Sequence, residues 1–180
     1  MYKTSMKSIK KQVILPKGVK ICKKQNKLAI LTDYNSTIYL TIPQKIELKK
    51  QEKHLFLIGD IASKNLLFSF YFFFCNILAG ASRPFIARLS LKGIGYKAAK
   101  LNENTLELKL GYSHTSVHKI NPFIIPYVYK SNIIELRTTF KDKIGSEAAS
   151  LQKLRKPDCY KGKGILYKGE KISLKVGKKV

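Results

Sequence analysis

The sequence predicts an α+β fold built by duplication: two similar small domains, each a mostly antiparallel sheet with one helix packed on a face. Two observations predict it. The chain presents the same order of signals twice, and each pass closes with one segment of helical spacing after several short alternating runs. A length of 180 residues allows one domain or two small ones, and 44% hydrophobic content excludes a chain disordered throughout. The join is expected near residues 81–88, giving an N-terminal domain over 1–82 and a C-terminal domain with a basic tail over 83–180. On spacing alone, chance similarity between the halves is the competing reading.

In chain order, Asn26-Lys-Leu-Ala-Ile in the first half answers Asn104-Thr-Leu-Glu-Leu in the second. A polar turn follows in each, at 33–36 and 112–115, then an alternating segment ending in proline, at 37–43 and 116–122. Strand-like runs come next at 46–50 and 123–127, and again after a turn at 54–58 and 132–136. Each half then becomes helical, over 61–78 and 142–154. In the second helix Ile144, Ala148, Leu151 and Leu154 share a face. Asp142 and Glu147 lie early and Lys153 and Arg155 late, which suits the helix macrodipole.

One stretch invites a membrane reading: residues 66–79, LLFSFYFFFCNILA, are mostly apolar and heavily aromatic. A bilayer crossing needs about 20 apolar residues, and this run stops at Lys64 on one side and Gly80 on the other. A buried helix and no transmembrane segment are therefore expected, with an interfacial or peripheral membrane contact as the alternative.

Charge narrows the partner. The chain carries 35 Lys+Arg against 11 Asp+Glu, a formal net charge of +24. Self-repulsion on that scale is relieved by a polyanion, so a nucleic acid is indicated, with a membrane surface as the rival. Both ends concentrate it: no acid occurs over 1–27, and ten Lys+Arg face only Asp158 and Glu170 over 151–180. Electrostatic anchoring of that kind weakens steeply with salt. Arginine occurs only at 83, 88, 137 and 155, while Lys, Asn, Ile, Phe and Tyr are frequent. Their codons are A/T-rich, which points to an organellar genome or an AT-rich bacterium. Cys22, Cys75 and Cys159 are too scattered for a disulfide framework or zinc ribbon, and their odd number suits a reducing compartment. The basic start, 1–11, reads as a weak transit peptide or an RNA-contacting arm.

Chemistry of turnover finds no support. There is no G-x-S-x-G elbow, no Walker loop and no acid pair in a polar setting. His114 falls in a turn and His118 in a strand, so their i, i+4 spacing does not place them on one helical face, and no metal site is expected. No cofactor and no small-molecule substrate are called for. Loops suited to phosphate are more prominent. PDCYKGKGI at 157–165 sets Tyr160, Lys161 and Lys163 among glycines that let a backbone approach a polyanion. LKGIGYK at 91–97 reads either as a glycine-rich phosphate loop or as a bulged strand that aims Tyr96 and Lys97 outward. Gly111-Tyr112-Ser113-His114 reads either as an RNA-touching surface or as a plain hairpin turn.

Four blocks carry a family resemblance: LKGIGYKA at 91–98, LKLGYSH at 108–114, LRKPDCYKGKGILY at 154–167 and GKK at 177–179, with VILPKGVKI at 13–21 a looser match. With them the chain resembles the large-subunit ribosomal protein six family in its bacterial and organellar form. The resemblance implies a structural, non-enzymatic protein that binds large-subunit rRNA near the sarcin–ricin and factor-binding region, with neighbouring ribosomal proteins as partners and translation factors nearby. It carries RNA contact over to Lys92, Tyr96, Lys97, Tyr112, Ser113, His114, Lys156, Tyr160, Lys161 and Lys163. Lysines would fix phosphates, backbone amides at the glycines would allow close approach, and tyrosine would pack on sugar or base. The mitochondrial ribosome, in the matrix, is the favoured location; a plastid or a bacterial cytoplasm is the alternative. Competing functions are a peripheral membrane protein and an RNA-modifying protein. Two departures stand out: Cys159 replaces the proline usual in the tail motif, and the helix over 66–78 is far more aromatic than the family's.

Overall fold

The structure, a computed structural model, describes residues 8–24, 27–32, 37–51 and 54–177. The first seven residues of the basic start, Asn26, the turn expected at 33–36 and the last three residues lie outside it. The chain forms two compact units, Met1–Pro84 and Phe85–Val180.

In the first unit, strands β1 (Ser8–Ile14), β2 (Lys20–Lys24), β3 (Lys27–Leu31), β4 (Thr37–Thr41), β5 (Ile46–Gln51) and β6 (His54–Asp60) precede a 3-10 turn (Ile61–Ser63) and helix α1 (Lys64–Ser82). They make two antiparallel three-stranded sheets, β2-β3-β4 and β1-β6-β5. Burial alternates along the strands, with Leu28 and Ile30 of β3 and Leu55, Leu57 and Gly59 of β6 turned inward. Helix α1 lies against β6 and β1. Its buried residues Leu67, Phe70, Phe74, Ile77, Leu78 and Ala81 recur at helical spacing.

The second unit repeats the order: β7 (Phe85–Lys92), β8 (Lys97–Asn102), β9 (Thr105–Lys109), β10 (Ser116–Lys119), β11 (Ile125–Tyr129), β12 (Ile133–Thr138), α2 (Lys141–Leu154) and then a further strand, β13 (Gly164–Tyr167). Its sheets are β8-β9-β10 and β11-β12-β7-β13. Helix α2 packs on β7, β12 and β13. The arrangement β7-β12-β11 reproduces β1-β6-β5, so the duplicated α+β architecture stands as expected. What the second unit adds is β13, laid antiparallel on the remaining edge of β7 with Gly164 opposite Lys92 and Tyr167 opposite Leu89. The core joins both sheets and the helix through Leu89, Leu106, Leu108, Ile134, Leu136 and Leu151, with Ile165 of β13 buried among them. Each such side chain contributes about 1.5–3 kcal/mol by burial. The tail is therefore anchored by its own apolar residues before any partner is considered.

Three boundaries differ from expectation. The first helix runs to Ser82 and does not stop at Gly80, which is buried inside it. Arg83 ends it in extended geometry, φ −138 and ψ 117, because the ring of Pro84 disfavours a helical residue before it. With its 3-10 turn, the segment Ile61–Ser82 is long and apolar enough to cross a bilayer by length and composition, contrary to the sequence estimate. Its inward face is nonetheless spent on the sheet core. Strand β10 stops at Lys119 and does not reach Pro122. Asn121 starts a turn in which its Oδ1 accepts the Phe123 N–H at 3.1 Å and its carbonyl accepts the Ile124 N–H at 2.9 Å. Strand β11 therefore begins at Ile125.

Candidate nucleic-acid interface

Where α2 ends, Arg155 turns extended and the chain folds back on itself. Asp158 builds the loop that follows. Its carboxylate accepts the N–H of Tyr160 and of Lys161, each at 3.1 Å, its own N–H donates to the Lys163 carbonyl at 2.8 Å, and its carbonyl accepts the Gly162 N–H at 2.9 Å. These backbone donors hold the Asp158 carboxyl below the usual carboxylate range. Gly162 has φ +66 and Gly164 φ +141. A Cβ on Gly164 would lie 2.7 Å from both the Lys156 carbonyl oxygen and the Pro157 Cα. Glycine there lets β13 leave the loop directly beneath the end of α2, and the Ile165 N–H then donates to the Arg155 carbonyl at 3.0 Å. Cys159 uses its carbonyl to accept the Lys175 N–H at 2.9 Å.

Within this loop the backbone amides are largely taken up by the fold itself. The Gly162 N–H is spent inside the loop, Gly164 is buried, and the amides of Tyr160 and Lys161 are held by Asp158. What this loop leaves open to solvent is side chains. Lys156 and Lys161 are exposed, Lys163 is half-buried, and the Tyr160 ring is 56% exposed.

The 91–97 segment is a turn between two strands and not a bulged strand. Strand β7 stops at Lys92, a turn spans Gly93 to Gly95, where φ is +74, and β8 resumes at Lys97. Tyr96 does not point outward. Its ring packs on the core, and a Cβ would meet it at 2.7 Å from Gly93 and at 3.0 Å from Gly111. Two glycines from different loops thus make room for one ring, and Tyr96 braces those loops together. Lys92 and Lys97, on either side of the turn, remain exposed.

The Gly111–His114 stretch connects β9 to β10, with Gly111 at φ +75. Tyr112 is tied down by its hydroxyl, which donates to the Leu154 carbonyl at 3.1 Å, and by the Arg155 guanidinium 4.6 Å from its ring centroid. The His114 ring stacks near it at 6.4 Å, and Ser113 and His114 face solvent. His118 points elsewhere, its Nε2 2.7 Å from Glu147 Oε1 on α2. The histidine pair is therefore split, and no group able to hold a metal occurs among the described residues.

These contacts gather the three loops at one end of the second unit. Gly164 pairs with Lys92, Tyr96 bridges the first and second loops, and Tyr112 with Arg155 joins the second to the helix end and the tail. All ten residues expected at the site lie on these loops or their flanking positions, with Tyr96 and Tyr112 serving mainly to hold them. Sequence reasoning missed Asp158 and Arg155. An aspartate two residues before the amide that it caps is a readable turn signal; the stacking of Arg155 on a ring forty-odd residues away in sequence is not.

Fold and site define a basic, duplicated α+β protein with a lysine-bearing rim of loops at one end of its second unit. The family described as Ribosomal protein L6 matches residues 92–168, from the end of β7 through β13. Large ribosomal subunit protein uL6m of Reclinomonas americana is 36% identical over 179 residues, covering 94% of this chain and 96% of the relative. Protein uL6 of Persephonella marina is 44% identical over 105 residues and uL6c of Phaeodactylum tricornutum 46% over 103, spanning 58% and 57% of this chain and the same shares of those relatives. The chain belongs to the ribosomal protein L6 family, whose members are structural and non-enzymatic components of the large ribosomal subunit.

Proposed function

We propose that this chain binds large-subunit rRNA near the sarcin–ricin and factor-binding region, as a structural constituent of the large subunit of a mitochondrial ribosome. The carrying observation is the assembly of three loops into one rim that presents Lys92, Lys97, Lys156, Lys161 and Lys163, on the segment that matches the family. The mechanism is passive. Ammonium groups on a braced scaffold meet phosphates, and their spacing selects a folded RNA by shape. Tyr160, exposed beside Lys161, stacks on a sugar or base, a contact worth about 1–3 kcal/mol where the base is unpaired. Neighbouring ribosomal proteins complete the setting, and translation factors act nearby. An A/T-biased residue usage and the nearly full-length match to a mitochondrial relative support the compartment.

Sedimentation of the native protein from its own cells, at moderate and then high salt with RNA analysis of each fraction, tests this. Co-migration with large subunits is expected, from the mitochondrial fraction. Recovery with plastid or cytoplasmic ribosomes would move the compartment, and flotation with membranes would sink the ribosomal reading.

A further inference from the structure

Helix α2 packs on one face of the sheet β11-β12-β7-β13, and on the other face Leu166 of β13, opposite Ser90, is buried. On that second face, the register sets three rows across the strands: Ile125, Arg137 and Ile86; Tyr127, Glu135 and Arg88; Tyr129, Ile133 and Ser90. Ile86, Ile125, Tyr127 and Tyr129 are all exposed there. At the centre Glu135, only 2% exposed, accepts Arg88 Nε on one carboxylate oxygen at 2.5 Å and Arg137 Nε on the other at 2.6 Å. One carboxylate shared by two guanidiniums leaves a net positive charge, and those side chains remain 45% and 39% exposed. Arg137 also lies 4.7 Å from the Tyr127 ring centroid and donates to the Tyr129 hydroxyl at 3.4 Å. Beside this patch, a recess of about 460 Å³ is lined by Ile86, Ala87, Arg88, Tyr167 and Lys168.

We propose that this sheet face docks a protein segment that offers a carboxylate to Arg88 and Arg137 and apolar side chains to Ile86, Ile125 and the recess. Three observations favour protein over RNA. The centre has no lysine, in a chain whose cations are otherwise nearly all lysine, and it holds two of the four arginines. Tyrosine, arginine and isoleucine without lysine or free acids are the composition of a desolvated protein-interface centre. Exposed isoleucines offer a base no π-face, and the ring of Tyr127 is already covered by a guanidinium. The buried Glu135 holds both forks in place beforehand, so little side-chain entropy is lost on docking. Ile86 and Arg88 lie toward the opposite end of β7 from Lys92, and the proposal does not depend on the RNA reading.

Four arginines make the test compact. In the full chain labelled with 15N-arginine, the side-chain Nε–H signals of Arg88 and Arg137 report the sheet face and that of Arg155 the loop rim. The probes are a panel of 12-residue peptides alternating Asp or Glu with Ile or Leu, the same peptides with Asn or Gln, and a sarcin–ricin-type RNA hairpin. Arg88 and Arg137 are expected to shift saturably with acidic peptides while Arg155 stays put, with binding at least tenfold weaker for the amide versions. The RNA hairpin is expected to leave Arg88 and Arg137 unmoved. No shift with any peptide, Arg155 moving in step with them, or Arg88 and Arg137 responding to the RNA hairpin would each overturn the proposal. Phenylglyoxal on native particles adds an independent reading: protection of Arg88 and Arg137 that survives ribonuclease supports a protein partner, and protection absent or lost with the RNA refutes it.

Discussion

Replacing Gly164 by alanine tests whether the tail loop is held by close backbone approach. The added Cβ would stand 2.7 Å from the Lys156 carbonyl oxygen and Pro157 Cα and 2.9 Å from Pro157 N, at a φ of +141. All three atoms are backbone, and the segment is pinned by the Ile165–Arg155 and Asp158–Lys163 hydrogen bonds of 3.0 and 2.8 Å. No flexible side chain can yield. Backbone strain of about 1–3 kcal/mol and overpacking of a similar size combine to about 4 kcal/mol, a large share of a small domain's stability of about 5–15 kcal/mol. Gly162→Ala is the control. Its φ of +66 is also left-handed, but the nearest atom, Leu174 Cδ2, would sit at an ordinary 3.5 Å, so only the backbone term of about 1 kcal/mol applies. Urea unfolding of the full chain should move the second unit's midpoint by about 2 M for Gly164→Ala and about 0.5 M for Gly162→Ala, at a typical slope near 2 kcal/mol/M. Binding to rRNA should weaken in the same order. A Gly164→Ala variant within about 1 kcal/mol of wild type, or equal damage from both substitutions, would refute the reasoning.

Tyr96→Ala removes the half-buried ring between Gly93 and Gly111 and should cost about 2 kcal/mol by urea unfolding, with Tyr96→Phe close to neutral. Lys161→Ala and Lys163→Ala should each lower the slope of log affinity against log salt by about one in filter binding to rRNA. Unfolding midpoints of those two should scarcely move. The Asp158 carboxyl is lowered by the Tyr160 and Lys161 amides, so its contribution is fully present above the ordinary carboxylate value, about 3.9, and is lost as pH falls through the folded value. Amide exchange at those two residues should lose protection over that acid window, and Asp158→Asn should abolish the pH dependence. Lys130 and Ser131 turn the β11–β12 hairpin at φ 51 and 52, so Ser131→Gly should raise stability by about 0.5 kcal/mol, seen as a higher midpoint.

Much of the fold was legible because its signals are local. Alternation at Leu28 and Ile30, or at Leu106 and Leu108, reports a half-buried strand without knowledge of its partner, and the spacing of Ile144, Ala148 and Leu151 reports a helix face. The repeat of that order was visible for the same reason. The end of α1 was also local, since Pro84 outranks Gly80 as a stop, and the misreading came from treating a buried glycine as a terminator. Of the candidate site, the tail motif and its lysines could be read from composition and turn residues. The direction of Tyr96 could not, because it depends on Gly111 arriving from another hairpin.

The sequence by itself determined that the chain is basic, duplicated and α+β, and that its second half carries lysine- and glycine-bearing loops, because charge, period and turn chemistry are properties of neighbouring residues. Only the tertiary structure decided which groups remain free to act. It placed β13 on the edge of β7, set Arg155 over Tyr112, and buried Glu135 beneath two arginines. Each of these joins residues distant in the chain, and a backbone donor or a charge has one meaning when solvated and another once a distant segment has taken it.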